Sequence, residues 1–579
     1  QFIQKDFRTI ERLFNIEFDR DWNLSTIVAG NQSYLVSGLN FTLPKKGLLT
    51  YQFENLGFTG SFSGNRHIVN ANFKLDNWNV QNQSSFMKSD GTLAESKFLR
   101  NQSIAKYHFS KNWVGGSLRL ENNQEKIKST NLLSGLSQRF FEYGAFVGRG
   151  DSTKVYMELG YLHRTNDSLQ NGLLQRVNTS QSYYMKSKLI QNERNDLAVY
   201  VNYRDLKFVD PARGNEPSLN SRILYNGRFV DQFIQTATAY ETTSGTIAQQ
   251  EFTYLEVDPG KGVYMWNDYN ANGIQELQEF EVAPFPDQAK YVRVFLPNQI
   301  FIKTHQNRFS ESLTLNPAQW QNEGGILKVL SYFYNQSSYL IERKIKRDGS
   351  NFDLNPFGTS RNELGLNTSI RNSLFYNRGK QDHSVTYTYL NSRAKNLLSV
   401  GSQENRNSSH QLQYAHLYQK NWLFAMSAKT VESKALIENF EARNYDIDAY
   451  QLAPKISYLF SQNASWDLFY EFQNKENTIR DRETLKQIRV GTSFNYATQK
   501  KLTMNGEFSL YENKFVGNPA SPVAFQMLEG LQPGQNLTWR LLIQKNLTEY
   551  LDVNLNYQGR KSETSDTIHT GSIQLRAYF

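Results

Sequence analysis

Asp268, Asn270, Asn272, Gly273, Glu276 and Glu279 fall within one twelve-residue stretch, Asp268-Tyr269-Asn270-Ala271-Asn272-Gly273-Ile274-Gln275-Glu276-Leu277-Gln278-Glu279. Oxygen-bearing side chains fill its first, third, fifth, ninth and twelfth positions, and a glycine that permits a sharp turn fills the sixth. A hard cation with bonds of about 2.4 Å takes roughly six or seven oxygens, and a short chain wraps it only when donors recur at close intervals. Ion binding is therefore the chemistry on offer here, and it explains the paired acids Glu276 and Glu279 better than acid–base catalysis does. Elsewhere the chain offers little. His305, His383 and His569 are scattered, no nucleophile elbow occurs, and Gly144 to Gly150 has no helix after it to cradle a phosphate. With no cysteine there is no disulfide, thiolate metal site or Cys nucleophile. No enzyme is expected.

The stretch resembles an EF-hand-type calcium loop, with its D-x-[DN]-x-[DN]-G spacing and an acid at position twelve. The resemblance implies side-chain oxygens from Asp268, Asn270 and Asn272, the backbone carbonyl of Ile274, a water-mediated position near Glu276, and a bidentate Glu279. The flanks depart from helix–loop–helix, with Gly260-Lys261-Gly262 before the loop and Pro284 and Pro286 after it. The implied cofactor is a structural Ca2+ of modest affinity that stiffens a loop without a sensor role.

The elements that must carry this loop are strands. Leu551, Val553, Leu555 and Tyr557 alternate with Asp552, Asn554, Asn556 and Gln558. Trp466, Leu468, Tyr470 and Phe472 form another such face, as do Ile488, Val490, Phe494 and Tyr496, and Val155, Met157, Leu159 and Tyr161. Sustained period-2 alternation has no helical reading. No stretch approaches the roughly 18–20 consecutive apolar residues of a transmembrane helix. Strands with one apolar and one polar face, ending in Ile573, Leu575, Ala577 and a C-terminal Phe579, suit lipid on one side and a wet interior on the other. The expected fold is all-β: a transmembrane antiparallel up-and-down β-barrel of about 26 strands, range about 22–28.

Short polar links occur at Ser110–Trp113, Gln419–Trp422, Ser461–Trp466, Thr498–Leu502 and Thr548–Leu551, several followed by an aromatic suited to an interfacial girdle. Longer loops are read at Arg343–Phe357, Ala394–Arg406 and Val516–Pro533. Alternating direction back from a periplasmic C-terminus puts every short link in the periplasm and every long loop outside. Residues 1–579 are read as a single outer-membrane barrel, and residues 245–300 as an extracellular insertion holding the calcium-type loop. The chain opens at Gln1, which we read as part of a longer protein. No compact plug precedes the first strands, so the lumen is expected to be filled by inward-folded loops or by a plugging partner.

The net charge of +9 is dispersed over strand ends and loops. Expected partners are outer-membrane lipid and lipopolysaccharide and other envelope proteins, with no nucleic acid. The stretch Leu528-Glu529-Gly530-Leu531-Gln532-Pro533-Gly534-Gln535-Asn536, with Trp539, Gly559-Arg560 and Ile568-His569-Thr570-Gly571, resembles the end of large outer-membrane barrels of the Bacteroidota. That resemblance implies a location and an architecture. The function expected first is a scaffold or conduit subunit of an envelope protein-export or outer-membrane assembly complex. The alternative is a solute uptake channel or TonB-dependent-like transporter barrel.

Overall fold

The computed structural model describes residues 31–577 together with Phe2, Ile3 and Trp22, apart from short breaks at 152, 249–250, 297–300, 348, 350, 359–361, 381, 399–400, 499–501 and 549. The terminal Phe579, which carries the expected C-terminal signal, lies outside the described residues. The fold is all-β and antiparallel, of the kind from which outer-membrane barrels are built. Outside the insertion the described residues carry 26 strands, the two-residue Phe2–Ile3 included. The chain divides into two compact units, residues 1–225 with 241–244, and residues 226–240 with 245–579.

In the first unit, each strand from Gln32–Leu43 to Asn195–Phe208 pairs antiparallel with the next in the chain. Tight turns close both ends of these hairpins, for example between Leu43 and Gly47 and between Phe58 and Phe62. A small apolar cluster of Trp22, Leu56, Phe58, Phe62, Met87 and Phe98 sits at one end. The expected sorting of links into short on one side and long on the other therefore does not hold in this unit.

The second unit holds the insertion, with strands β1 (Glu251–Glu256), β2 (Tyr264–Trp266), β3 (Phe280–Val282) and β4 (Tyr291–Leu296). Its last eight long strands begin with β5 (Trp422–Ile437), β6 (Tyr445–Ser461), β7 (Ala464–Asn477) and β8 (Thr484–Thr498). They end with β9 (Leu502–Val516), β10 (Gly534–Thr548), β11 (Leu551–Ser562) and β12 (Ser565–Ala577). In the three-residue link 419–421 ahead of β5, Gln419 and Lys420 take φ of 48° and 63°, the mirror-image sense of turn whose twist matches that of the flanking strands. Here the links after Ser461, Thr498 and Thr548 at one end are short, and 438–444, 478–483 and 517–533 at the other are longer, but the two-residue link 563–564 shares that other end, so the expected sorting holds only in part. Two readings change. Ala394–Arg406 is no loop, because Ala394 pairs with Asn405 and Arg393 with Arg406. Arg343 is still in its strand, which runs to Lys346. In both, charge on the strands hides the apolar period while the backbone ladder continues; Arg393, for instance, binds Glu404 across the rungs at 2.8 Å.

Register joins the apolar positions into a band. Phe424 faces Ile456, Ile456 faces Leu468, Tyr470 faces Val490, Val490 faces Leu510, and Phe508 faces Trp539. Members of this band such as Leu468, at 48% exposure, and Phe508, at 47%, stand uncovered. At one end Trp422, Tyr458 and Trp466 are neighbours across three strands, with the Trp422 and Tyr458 rings 4.9 Å apart. An exposed apolar band of this extent, edged by aromatics, is what lipid accommodates and water does not. The opposite face, called inward below, carries Glu471, Arg489, Glu507 and Arg540. Arg489 bridges Glu471 at 3.4 Å and Glu507 at 2.5 Å.

Candidate functional site

The insertion is a separate four-stranded antiparallel sheet in which β1 pairs with β4, β4 with β2 through Tyr264 and Tyr291, and β2 with β3. With strands this short, aromatic rings supply its core. Tyr254 stacks on Phe280 at 4.0 Å and 9°, and Phe280 meets Tyr291 edge-on at 5.0 Å. Each such contact contributes about 0.5–1.5 kcal/mol beyond area burial.

The twelve-residue loop joins β2 to β3, and the backbone N–H of Asn267 donates to the Glu279 carbonyl at 2.9 Å to bring its ends together. Within it the Asp268 carboxylate accepts from the N–H of Asn272 at 3.1 Å and of Gly273 at 2.8 Å. Asn270 Oδ1 accepts from Asn272 N–H at 3.0 Å, and Asn272 Oδ1 from Ile274 N–H at 2.7 Å. Gly273 at φ 70° and Ala271 at φ 56° make the reversal. Ile274 is 63% exposed, so its expected contribution is its carbonyl. Asn270 Nδ2 donates to Glu276 at 2.8 Å. Glu279 is 1% exposed and accepts from the Trp266 indole N–H at 2.8 Å. All six expected ligand residues thus lie in one loop of a folded insertion. Among the described residues no group of three or more His, Cys, Asp or Glu is gathered closely enough to hold a metal by itself. Any ion here would need amide and carbonyl oxygens as well.

Two arginines seat the insertion on the long strands. Arg443, in the link between β5 and β6, donates to the carbonyls of Gln278 at 3.1 Å and Phe280 at 3.4 Å, and to Glu281 at 2.7 Å. Burial pushes the Glu281 carboxyl up, against the pull of Arg443 and of the Tyr269 hydroxyl, which donates to it. Arg560, at an inward position of β11, grips Asp287 with both Nη atoms, Nη2 at 2.7 Å. This hydrogen bonding holds the Asp287 carboxyl below its usual range. The Arg560 guanidinium also lies 4.2 Å over the Phe285 ring. Beside them Gly530, at φ 79°, lets the chain pass so close to Pro284 that a Cβ would come within 2.2 Å of its Cγ.

A second loop folds onto the same inward face. Helix α1 (Pro522–Leu528) starts at Ser521, whose Oγ accepts from Ala524 N–H at 3.0 Å, with Pro522 in its first turn. Its Val523, Ala524, Met527 and Leu528 pack on Ile447 and Leu485. Full burial of side chains of this kind is worth about 1.5–3 kcal/mol each. Lys475 fixes the helix end through the Met527 carbonyl at 2.9 Å and Glu529 at 2.7 Å. Between the insertion and β8–β12 remains a cavity of about 450 Å³, whose lining includes Phe285, Glu507, Tyr511, Arg540, Gln558 and Thr570. It can hold a small polar molecule, offering both charges, amides, hydroxyls and aromatic rings.

The sequence pointed to the loop and missed Arg443, Arg560, Asp287, Trp266 and the cavity. Arg443 and Arg560 carried no local signal, since their partners lie 162 and 273 positions away. Trp266, two residues ahead of Asp268 in an otherwise short-strand segment, could have been noticed.

No family model matches the chain, and no curated protein does. Among solved structures it is similar to BauA, the ferric preacinetobactin receptor from Acinetobacter baumannii, at 11% identity and TM-score 0.32, covering 95% of this chain and 79% of that one. It is also similar to the FrpB iron transporter from Neisseria meningitidis, at 9% and 0.31, covering 87% and 81%. The copper transporter OprC matches at 8% and 0.32, covering 94% and 82%. At these identities and scores the likenesses assign neither a family nor a ligand to this chain.

Proposed function

We propose that the protein is an outer-membrane β-barrel that passes small polar solutes, with the inserted sheet capping part of its inward side. The observation that supports this reading is the opposition of two faces on the same strands. Phe508 and Leu510 of β9 point outward into the apolar band, while Glu507 and Tyr511 point inward to the cavity under the insertion. The cavity of about 450 Å³ under the insertion is of the size a small solute fills. Solute uptake is therefore preferred to the export scaffold. On this reading the insertion and the α1 loop are extracellular, the links 462–463, 499–501 and 549–550 are periplasmic, and Trp422 and Trp466 lie at the periplasmic interface.

Liposome swelling and planar-bilayer conductance test it. The purified chain should admit small sugars or amino acids, and Arg560→Ala with Asp287→Ala should raise the flux by loosening the cap. A protein that forms no pore in either form, yet co-purifies in mild detergent with stoichiometric envelope partners, would return the reading to an assembly scaffold.

A further inference from the structure

We propose that the loop Asp268–Glu279 binds calcium and that the ion sets the seating of the insertion on Arg443. The first ground is donor geometry. Asp268, Asn270 and Asn272 all turn their oxygens back over the loop, where backbone N–H groups of Asn272, Gly273 and Ile274 hold them. Each of these oxygens has a further lone pair to give.

The second ground is independent of the loop's shape. One Glu279 oxygen takes the Trp266 indole N–H, while Oε1 finds no hydrogen-bond partner although the residue is 1% exposed. The liganded oxygen lies 3.4 Å from Glu276 N, so this carboxylate faces the loop itself. A buried carboxylate oxygen without a partner is costly, and a bound cation removes that cost. Among the described residues no Lys or Arg pairs with Asp268, Glu276 or Glu279; the nearby cations Lys261 and Arg443 are engaged by Asp258 and Glu281. Among the described residues the loop's three carboxylates are thus left without a cation of the chain's own.

The ion's identity follows from the donors. The loop has oxygens and no imidazole or thiolate, which disfavours zinc and the later transition metals. Its ligands come from flexible side chains and a carbonyl, which calcium's loose coordination tolerates and magnesium's strict octahedron does not. The three carboxylates are not yet gathered, so binding draws Glu279 and Asp268 together. Glu279 stands between Gln278 and Phe280, the two residues whose carbonyls Arg443 grips, and two positions before Glu281. An ion on Glu279 therefore fixes the segment that Arg443 reads.

The test uses the full chain in detergent micelles, with Ca2+ or Tb3+ alone as probe. Calorimetric titration should show one saturable Ca2+ site with a dissociation constant on the order of 10⁻⁴–10⁻³ M, the range of extracellular sites. Tb3+ should luminesce on indole excitation through Trp266 and be displaced by Ca2+. Glu279→Gln and Asp268→Ala should each weaken binding by about 100-fold or abolish it. Trp266→Phe should weaken it by roughly 10-fold and dim the Tb3+ signal. Chelator should speed proteolysis between β1 and β4 in the wild type as much as Arg443→Ala does. Absence of saturable Ca2+ binding to the wild type up to about 10 mM would overturn the site, well above the range above. Binding intact in Glu279→Gln would do the same, and proteolysis indifferent to chelator would overturn the seating role. Because wild-type titration and chelation need no variant, misfolding of a mutant cannot mask the result.

Discussion

Arg560 and Asp287 stand 273 positions apart and meet as a two-pronged ion pair, with Nη2 and Oδ2 at 2.7 Å. Arg560 belongs to a long strand and Asp287 to a short 3-10 turn of the insertion, Pro286–Gln288, so this contact decides where the inserted sheet rests. Both side chains are mostly screened from water, at 16% and 26% exposure, and the planar fork fits the carboxylate at both ends.

A double-mutant cycle on that pair should therefore show coupling. Arg560→Ala, Asp287→Ala and the double variant, compared by protease protection of residues 258–290, are expected to give a coupling of about 1 kcal/mol. Strict additivity of the two single variants would mean the pair does not hold the insertion.

Acid and mildly acidic pH should act on the two clamps in opposite senses. Asp287, held below its ordinary value by Arg560, adds stability that is present above the usual carboxylate range and lost as pH falls through its lowered value. Glu281, pushed up by burial, adds stability that is complete below 4.5 and lost as pH rises through its raised value. Hydrogen exchange across residues 264–282, followed against pH, should lose its acid limb in Asp287→Asn and its upper limb in Glu281→Gln. If both variants track the wild type at every pH, these carboxylates do not govern the seating.

Charge placed on the two faces of β7 should have unequal costs. Phe472→Arg, further along β7 from the interfacial Trp466 and level with Gln473, puts a cation in the apolar band and is expected to cost about 2–4 kcal/mol near the bilayer midplane. Gln473→Arg, on the inward face, should cost little. Urea unfolding from lipid vesicles measures both, and equal losses would contradict the assignment of the lipid-facing side.

Met527→Ala should empty part of the cluster that α1 makes with Ile447 and Leu485. Met527 is fully buried, and such truncations cost about 2–5 kcal/mol. Thermal unfolding in detergent reads the loss. A change within about 0.5 kcal/mol, typical of surface sites, would mean the α1 loop is not packed against the strands in solution.

The period-2 pattern was enough to identify the strands, because each side chain's face follows from its parity once the backbone is extended. Parity alone places Ile488, Val490, Phe494 and Tyr496 on one face, and the register confirms it. The same rule failed where polar residues occupied both faces, as in Ala394–Arg406, since alternation then has nothing to alternate.

The loop Asp268–Glu279 was legible because its donors are local and their spacing is written in consecutive residues. What seats that loop was not. Arg443 and Arg560 look in the chain like any other surface cations, and only strand pairing brings them to Glu281 and Asp287. The cavity is equally a product of assembly, because β8–β12 and the insertion each line one side of it. Sequence alone thus determined faces and local donor sets, which depend on neighbours in the chain. The tertiary structure decided the clamps and the pocket, which depend on segments hundreds of residues apart being held at hydrogen-bonding distance.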